Sequence, residues 1–180
     1  MCIKNNLKRL AALILCAAIF LGALPISGAL PINASAASWA TPYVDKMEQW
    51  GVMNDGRPDD YITRAEMAAM LNRAFGFTRR GPVPFTDVKE SDWFYNDIVT
   101  CYTEGILQGT SSTTVSPRAY VTREQALVFI ARSLRFDESK SEVTEFTDGQ
   151  DFSTWSSYYV RSAVLAGIVS GMADGSFRPA

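Results

Sequence analysis

Two arginines, Arg64 and Arg123, each follow a threonine at the head of an apolar run: Tyr61-Ile62-Thr63-Arg64-Ala65-Glu66 and Tyr120-Val121-Thr122-Arg123-Glu124-Gln125. A cation in the first turn of a helix meets the positive end of the macrodipole and is mildly unfavourable there. Repeating that choice in register needs a reason. Free backbone N–H groups at a helix start attract anions, and a guanidinium beside them adds a permanently charged fork that fits a carboxylate or phosphate. A solvated or salt-bridged arginine explains either residue alone; recurrence favours an anion contact for both Arg64 and Arg123. Tryptophan supplies the second half of such a site, because an indole face stacks on a sugar ring. Trp39, Trp93 and Trp155 are the candidates, with core packing the equal alternative, whereas Trp50 stands outside the pattern and reads as packing.

The flanking residues have structural work. Thr63 with Glu66, and Thr122 with Gln125, match the capping box, in which the Thr hydroxyl accepts from the N3 backbone N–H and the N3 side chain reaches back to the N-cap N–H. Behind each box runs a helical stripe, Ala65, Ala68, Leu71 and Phe75 in one and Ala126, Leu127, Ile130 and Leu134 in the other. Helix capping is a sufficient account of all four box residues.

Other chemistry is thinly provided for. The chain has no histidine, which removes His-dependent triads, His metal ligands and His acid–base catalysis together. Asp55, Asp59 and Asp60 form the best carboxylate cluster for a hydrolase, but they sit in a turn-forming loop with no aromatic-lined cleft implied. Their spacing also fails the EF-hand pattern, which leaves no metal site and no cofactor expected.

The elements that would position these residues repeat. Trp39, Trp93 and Trp155 are each followed twelve residues later by a glycine, Gly51, Gly105 and Gly167. Val44, Ile98 and Val160, then Met47, Cys101 and Ala163, fall on one face of each intervening segment. Each segment therefore reads as an amphipathic helix running from its Trp to a glycine C-cap, and Cys101 reads as a small core residue. Loops follow the glycines, and the second and third align without gaps, Gly109 with Gly171 and Pro117 with Pro179. Phe85-Thr86-Asp87 and Phe146-Thr147-Asp148 precede the second and third Trp helices. On the spacing of the second unit, a third Thr-Arg pair is expected about four residues beyond Ala180, which makes the last unit read as cut short.

Residues 1–36 are set apart as a secretory signal peptide: Lys4, Lys8 and Arg9, an apolar run from Leu10 to Leu24, then Ala34-Ser35-Ala36 as a small-x-small cleavage site. The run is short for a membrane span, which needs about twenty residues. Large Leu15 before Cys16 argues against a lipoprotein signal. The leader holds three of seventeen basic residues and none of nineteen acidic ones, leaving fourteen against nineteen, a net charge of −5. That balance argues against a nucleic-acid partner. Cys101 alone remains after cleavage, so the exported part is held by its core rather than by disulfides, a usage typical of a Gram-positive surface.

On Ile62 to Glu66 and its sister Val121 to Gln125, Phe85 to Val88, the Trp-to-Gly helices, and Asp174-Gly175-Ser176-Phe177-Arg178-Pro179, the chain resembles the S-layer homology family of bacterial surface domains. The resemblance implies an all-α pseudo-trimer of helix-loop-helix repeats around a central three-helix bundle, with units at 37–78, 83–136 and 144–180. It further implies non-covalent anchoring of an exported protein, with a further domain in a longer chain, to secondary cell-wall polysaccharide, often pyruvylated, in grooves between repeats. The family's Thr-Arg arginine maps onto Arg64 and Arg123, and groove contacts onto Trp39, Trp93, Trp155, Gly109 and Gly171. A ketal-linked pyruvate is a carboxylate, the group an arginine at a helix start would receive. The departures are Glu124-Gln125 in place of Ala-Glu, a short acidic first loop, and the absent third motif. Two alternatives remain, a secreted carbohydrate-active enzyme and a structural surface protein that self-assembles without glycan.

Overall fold

The stripes read from the sequence become the core. Val44, Ile98 and Val160 are 8%, 0% and 0% exposed, and Met47, Cys101 and Ala163 are 0%, 0% and 1%. A computed structural model describes residues 37–54, 60–136 and 146–180. The expected leader over 1–36, Asp55, Asp59 and the side chain of Trp39 lie outside the described part. Within it the chain is all-α, as expected: α1 (Ala37–Gln49), α2 (Arg64–Phe75), α3 (Tyr95–Thr103), α4 (Arg123–Ser133) and α5 (Thr154–Leu165), with a 3₁₀ turn at Gly149–Asp151. No described helix is long and apolar enough to cross a membrane.

Helices α1, α3 and α5 end alike. Gly51, Gly105 and Gly167 take φ of +69°, +74° and +68°, a left-handed turn that glycine adopts without steric cost. The residue after each then donates back to the helix, Val52 to Met47, Ile106 to Cys101 and Ile168 to Ala163, at 2.9, 2.9 and 3.0 Å. These are Schellman caps, which satisfy carbonyls that the helix end would otherwise orphan. One boundary differs from expectation: α3 begins at Tyr95 rather than at Trp93, which stands in the preceding turn and is 64% exposed.

The Thr-Arg helices α2 and α4 touch each other, and each packs against the Trp helix of the following unit, α2 on α3 and α4 on α5. Between them lie Leu71, Leu127 and Ile130, all at most 3% exposed, each side chain stabilising the fold by about 1.5–3 kcal/mol relative to exposure. Cys101 belongs to this core: its thiol points at the Ala68 carbonyl (3.5 Å) and Asn72 Oδ1 (3.3 Å). Burial, with Asp97 and Glu104 adding to it, pushes that thiol far above its ordinary range.

Candidate functional site

Arg64 opens α2 and is only 5% exposed. Its Nε donates to the Val115 carbonyl at 2.8 Å and its Nη2 to the Gln108 carbonyl at 2.6 Å, both in the loop of the next unit. The guanidinium lies 5.3 Å from the Phe129 ring. Burial draws its pKa down, with Asp87 partly offsetting the effect. The backbone of the helix start is occupied too: Arg64 N–H donates to Ala119 O and Ala65 N–H to Pro117 O, each at 2.9 Å, while Glu66 N–H donates to Thr63 Oγ1 at 3.3 Å. The N–H groups that sequence reasoning left open to an anion are closed by the following unit's loop.

That loop is held from inside its own unit. Asp87 accepts from Val115 N–H at 3.0 Å and from Ser116 N–H at 2.7 Å; Asp148 accepts from Phe177 N–H at 2.8 Å and Arg178 N–H at 2.7 Å. Ser116 and Arg178 have φ of 51° and 62°, an unusual conformation for residues with a Cβ, which the carboxylate stabilises. Desolvation opposes ionisation of Asp148, yet the two N–H donors hold its carboxyl below the usual range. The aspartates of the Phe-Thr-Asp motifs are therefore loop locks. Gly109 and Gly171 are close-packing positions: a Cβ on Gly109 would stand 2.3 Å from Ser111 O and 2.9 Å from the Phe85 ring, and one on Gly171 would stand 2.8 Å from the Phe146 ring.

The second joint repeats the first with a looser grip. Arg123 stacks 4.5 Å from the Phe177 ring, donates from Nη2 to Ser170 O at 3.2 Å and points Nη1 at Met172 Sδ at 3.6 Å. Its Nε is buried without an acceptor. Burial, reinforced by Arg178 and opposed by Asp148, lowers its pKa to about 10. The second capping box also closes on one side only. Thr122 accepts from Gln125 N–H at 3.4 Å, but Gln125 Oε1 is buried and unpartnered, whereas Glu66 accepts from both Thr63 N–H (2.8 Å) and Thr63 Oγ1 (2.7 Å). A neutral amide gains less than a carboxylate from the positive end of a helix. Glu124, which the sequence marked only as a departure, caps a different helix: it accepts from Ser153 N–H (3.1 Å), Ser153 Oγ (2.7 Å) and Ser156 Oγ (2.6 Å) at the start of α5.

Between the first two units lies an open cleft of about 190 Å³ lined by Asn54, Asp60, Tyr61, Glu66, Arg73 and Trp93, over an apolar floor of Met53, Ile62 and Met70. Trp93 is thus brought to a cleft, while Arg64 is not among its lining residues. Arg73 of the lining donates to Val52 O at 3.4 Å. The matched positions of the next joint are Tyr120, Gln125, Arg132 and Trp155, with Arg132 donating to Ile106 O at 3.4 Å and stacked 4.9 Å from the Tyr159 ring. Sequence reasoning missed Tyr61, Tyr120, Arg73 and Arg132. The signal that marked Arg64 was available for all four, since each pair recurs at the same 59-residue spacing. Among the described residues no group of three or more potential His, Cys, Asp or Glu ligands is gathered for a metal.

Helical units interlocked by an arginine passed into the next unit's loop, with an aromatic cleft at the first joint, define an all-α repeat protein. The S-layer homology domain matches residues 84–127 and 145–180, and through these segments the chain belongs to the S-layer homology family. It is 31% identical over 110 residues, 61% of this chain and 9% of the other, to the surface-layer 125 kDa protein of Lysinibacillus sphaericus. It is 33% identical over 119 residues (62% and 27%) to the cellulosome-anchoring protein of Acetivibrio thermocellus. It is 32% identical over 129 residues (68% and 7%) to the amylopullulanase of Thermoanaerobacterium thermosulfurigenes. The chain thus spans from 7% to 27% of the length of these relatives.

Proposed function

We propose that the chain, as repeats at 37–78, 83–136 and 144–180, anchors an exported protein to the wall of a Gram-positive type of bacterium by binding anionic wall polysaccharide in its joints. The observation that carries the reading is the cleft in which exposed Trp93 and Tyr61 stand beside Arg73, an arrangement suited to a polyhydroxylated ring with an apolar face. Relatives named as a surface-layer protein and as a cellulosome-anchoring protein support the location. No catalytic step is assigned, because no histidine is present and the cleft's two carboxylates, Asp60 and Glu66, share it with a cation.

The joints divide the ligand by charge. The first carries Asp60 and Glu66 with Arg73; the matched positions of the second are Ala119, Gln125 and Arg132. An acidic substituent such as a pyruvyl ketal is repelled less at the second joint, where Arg123, held through one carbonyl and one thioether sulfur, keeps more of its guanidinium for a nearby carboxylate. Arg64, Gly109 and Gly171 contribute through the joints and loops they shape, and Trp39, Trp93 and Trp155 through ring stacking. Sedimentation with purified walls tests the reading: the chain co-sediments with protein-extracted walls and not with walls stripped of their polysaccharide. Trp93→Ala with Trp155→Ala, folded by circular dichroism, should lose at least tenfold in affinity; unchanged sedimentation by that variant, or binding to stripped walls, overturns the proposal.

A further inference from the structure

Five large apolar side chains stand exposed among the described residues, and four of them are aromatic rings at the joints: Tyr61 (81%), Trp93 (64%), Tyr120 (65%) and Trp155 (46%). Tyr61 and Tyr120 belong to different units, yet their ring centroids are 5.6 Å apart. The backbone sets that spacing. Thr63 and Tyr120 form an antiparallel bridge, with Val121 N–H donating to Ile62 O at 3.0 Å and Arg64 N–H to Ala119 O at 2.9 Å. Each tyrosine is therefore tied to a fixed stretch of main chain, and the pair is presented to solvent at little cost in side-chain ordering.

Tyr61 also lines the first cleft with Trp93. Trp93 and Tyr61 thus share the cleft, and Tyr120 stands against Tyr61 outside its lining, so the three exposed rings form a run across the first joint. We propose that this run is a stacking track for consecutive sugar rings of one polysaccharide strand, with Tyr120 as a subsite outside the cleft. The inference rests on the glycan-binding reading above and extends it from a single docked sugar to an extended strand. A protein partner fits the run less well, because the tyrosines are flanked along the chain by the charged Asp60 and Arg118. Separate flat rings with polar edges match sugar rings, which pair an apolar face with hydroxyls.

The test uses the folded chain with extracted wall polysaccharide, intact and depolymerised to single repeating units. Tyr120→Ala should weaken binding of the intact polymer by about three- to tenfold, the range of one lost stacking contact, and by more than it weakens single-unit binding. Tyr120→Phe keeps the ring and should restore the parental affinity. Equal polymer binding by Tyr120→Ala and the parent overturns the track alone. Equal loss of polymer and single-unit binding also overturns it, because it makes the tyrosine a support of the cleft. A concentration-dependent dimer abolished by Tyr120→Ala assigns the pair to self-association instead. A parent that binds neither form overturns the anchoring reading and the track together.

Discussion

A guanidinium as buried as that of Arg64 ordinarily faces a carboxylate; here it faces two carbonyls, Val115 O and Gln108 O. Hydrogen bonds from a charged donor contribute about 1.5–3 kcal/mol each, and their loss leaves buried acceptors unsatisfied. Arg64→Ala is therefore expected to destabilise the fold by about 3 kcal/mol in chemical denaturation, with Arg64→Lys recovering little, because an ammonium cannot address two carbonyls as a planar fork does. Arg123→Ala should cost less, since its acceptors are a single carbonyl and a thioether sulfur. Binding data on the two alanine variants need this comparison, because loss of a joint and loss of a ligand contact both reduce wall binding. At Cys101 the expectation is kinetic: the buried, strongly protonated thiol reacts with a thiol reagent only as fast as the protein opens, so the labelling rate should follow unfolding through a denaturant series.

At the scale of the element, the loop after Gly167 is sensitive to acid through Asp148. The folded pKa of Asp148 is depressed, so its contribution to stability is complete above the ordinary carboxyl value, near 3.8, and is lost as pH falls through the lower folded value. Acid titration of the parent and of Asp148→Asn should accordingly converge at low pH, with the parent the more stable at neutral pH; amide exchange at Phe177 and Arg178 reads the same lock. Gly109→Ala is expected to cost about 1–3 kcal/mol by overpacking. Gly171→Ala should cost less, since its closest clash is with a ring that can shift while that of Gly109 is with backbone oxygen.

The same comparison explains what was legible in advance. Apolar spacing, the Thr63–Glu66 box and the C-cap glycines are local signals, each readable within a dozen residues, and they gave the helices to within two residues at Trp93. The role of Arg64 was not readable in that way. Its acceptors are backbone carbonyls 44 and 51 residues away, and a carbonyl carries no mark in a sequence. Recurrence found the residue, and residue chemistry then pointed to an anion. The cleft was hidden for a related reason: Trp93 and Arg73 come together only after α2 has packed on α3.

Across the whole molecule, the joints couple units that would otherwise be short helical pairs. Stability in such an array is the sum of weak units and strong neighbour contacts, so one transition is expected for the described part. Fluorescence of Trp50 and Trp155, in the first and last units, should change at the same denaturant concentration in the parent. In Arg123→Ala the last unit should melt first. An early Trp155 transition in the parent would show that the second joint does not couple its neighbours.

Both joints also point the same way: an arginine of the earlier unit enters the loop of the later one. On the anchoring reading proposed above the chain bears tension along its length, and a plug-and-socket series gives that tension an order of failure. Links in series carry the same tension, so the loosely held Arg123 gives way before the better-seated Arg64. The last unit would yield first and lengthen the chain, while the first cleft stays assembled. The uneven grip of the two arginines thus amounts to a mechanical fuse set at the second joint.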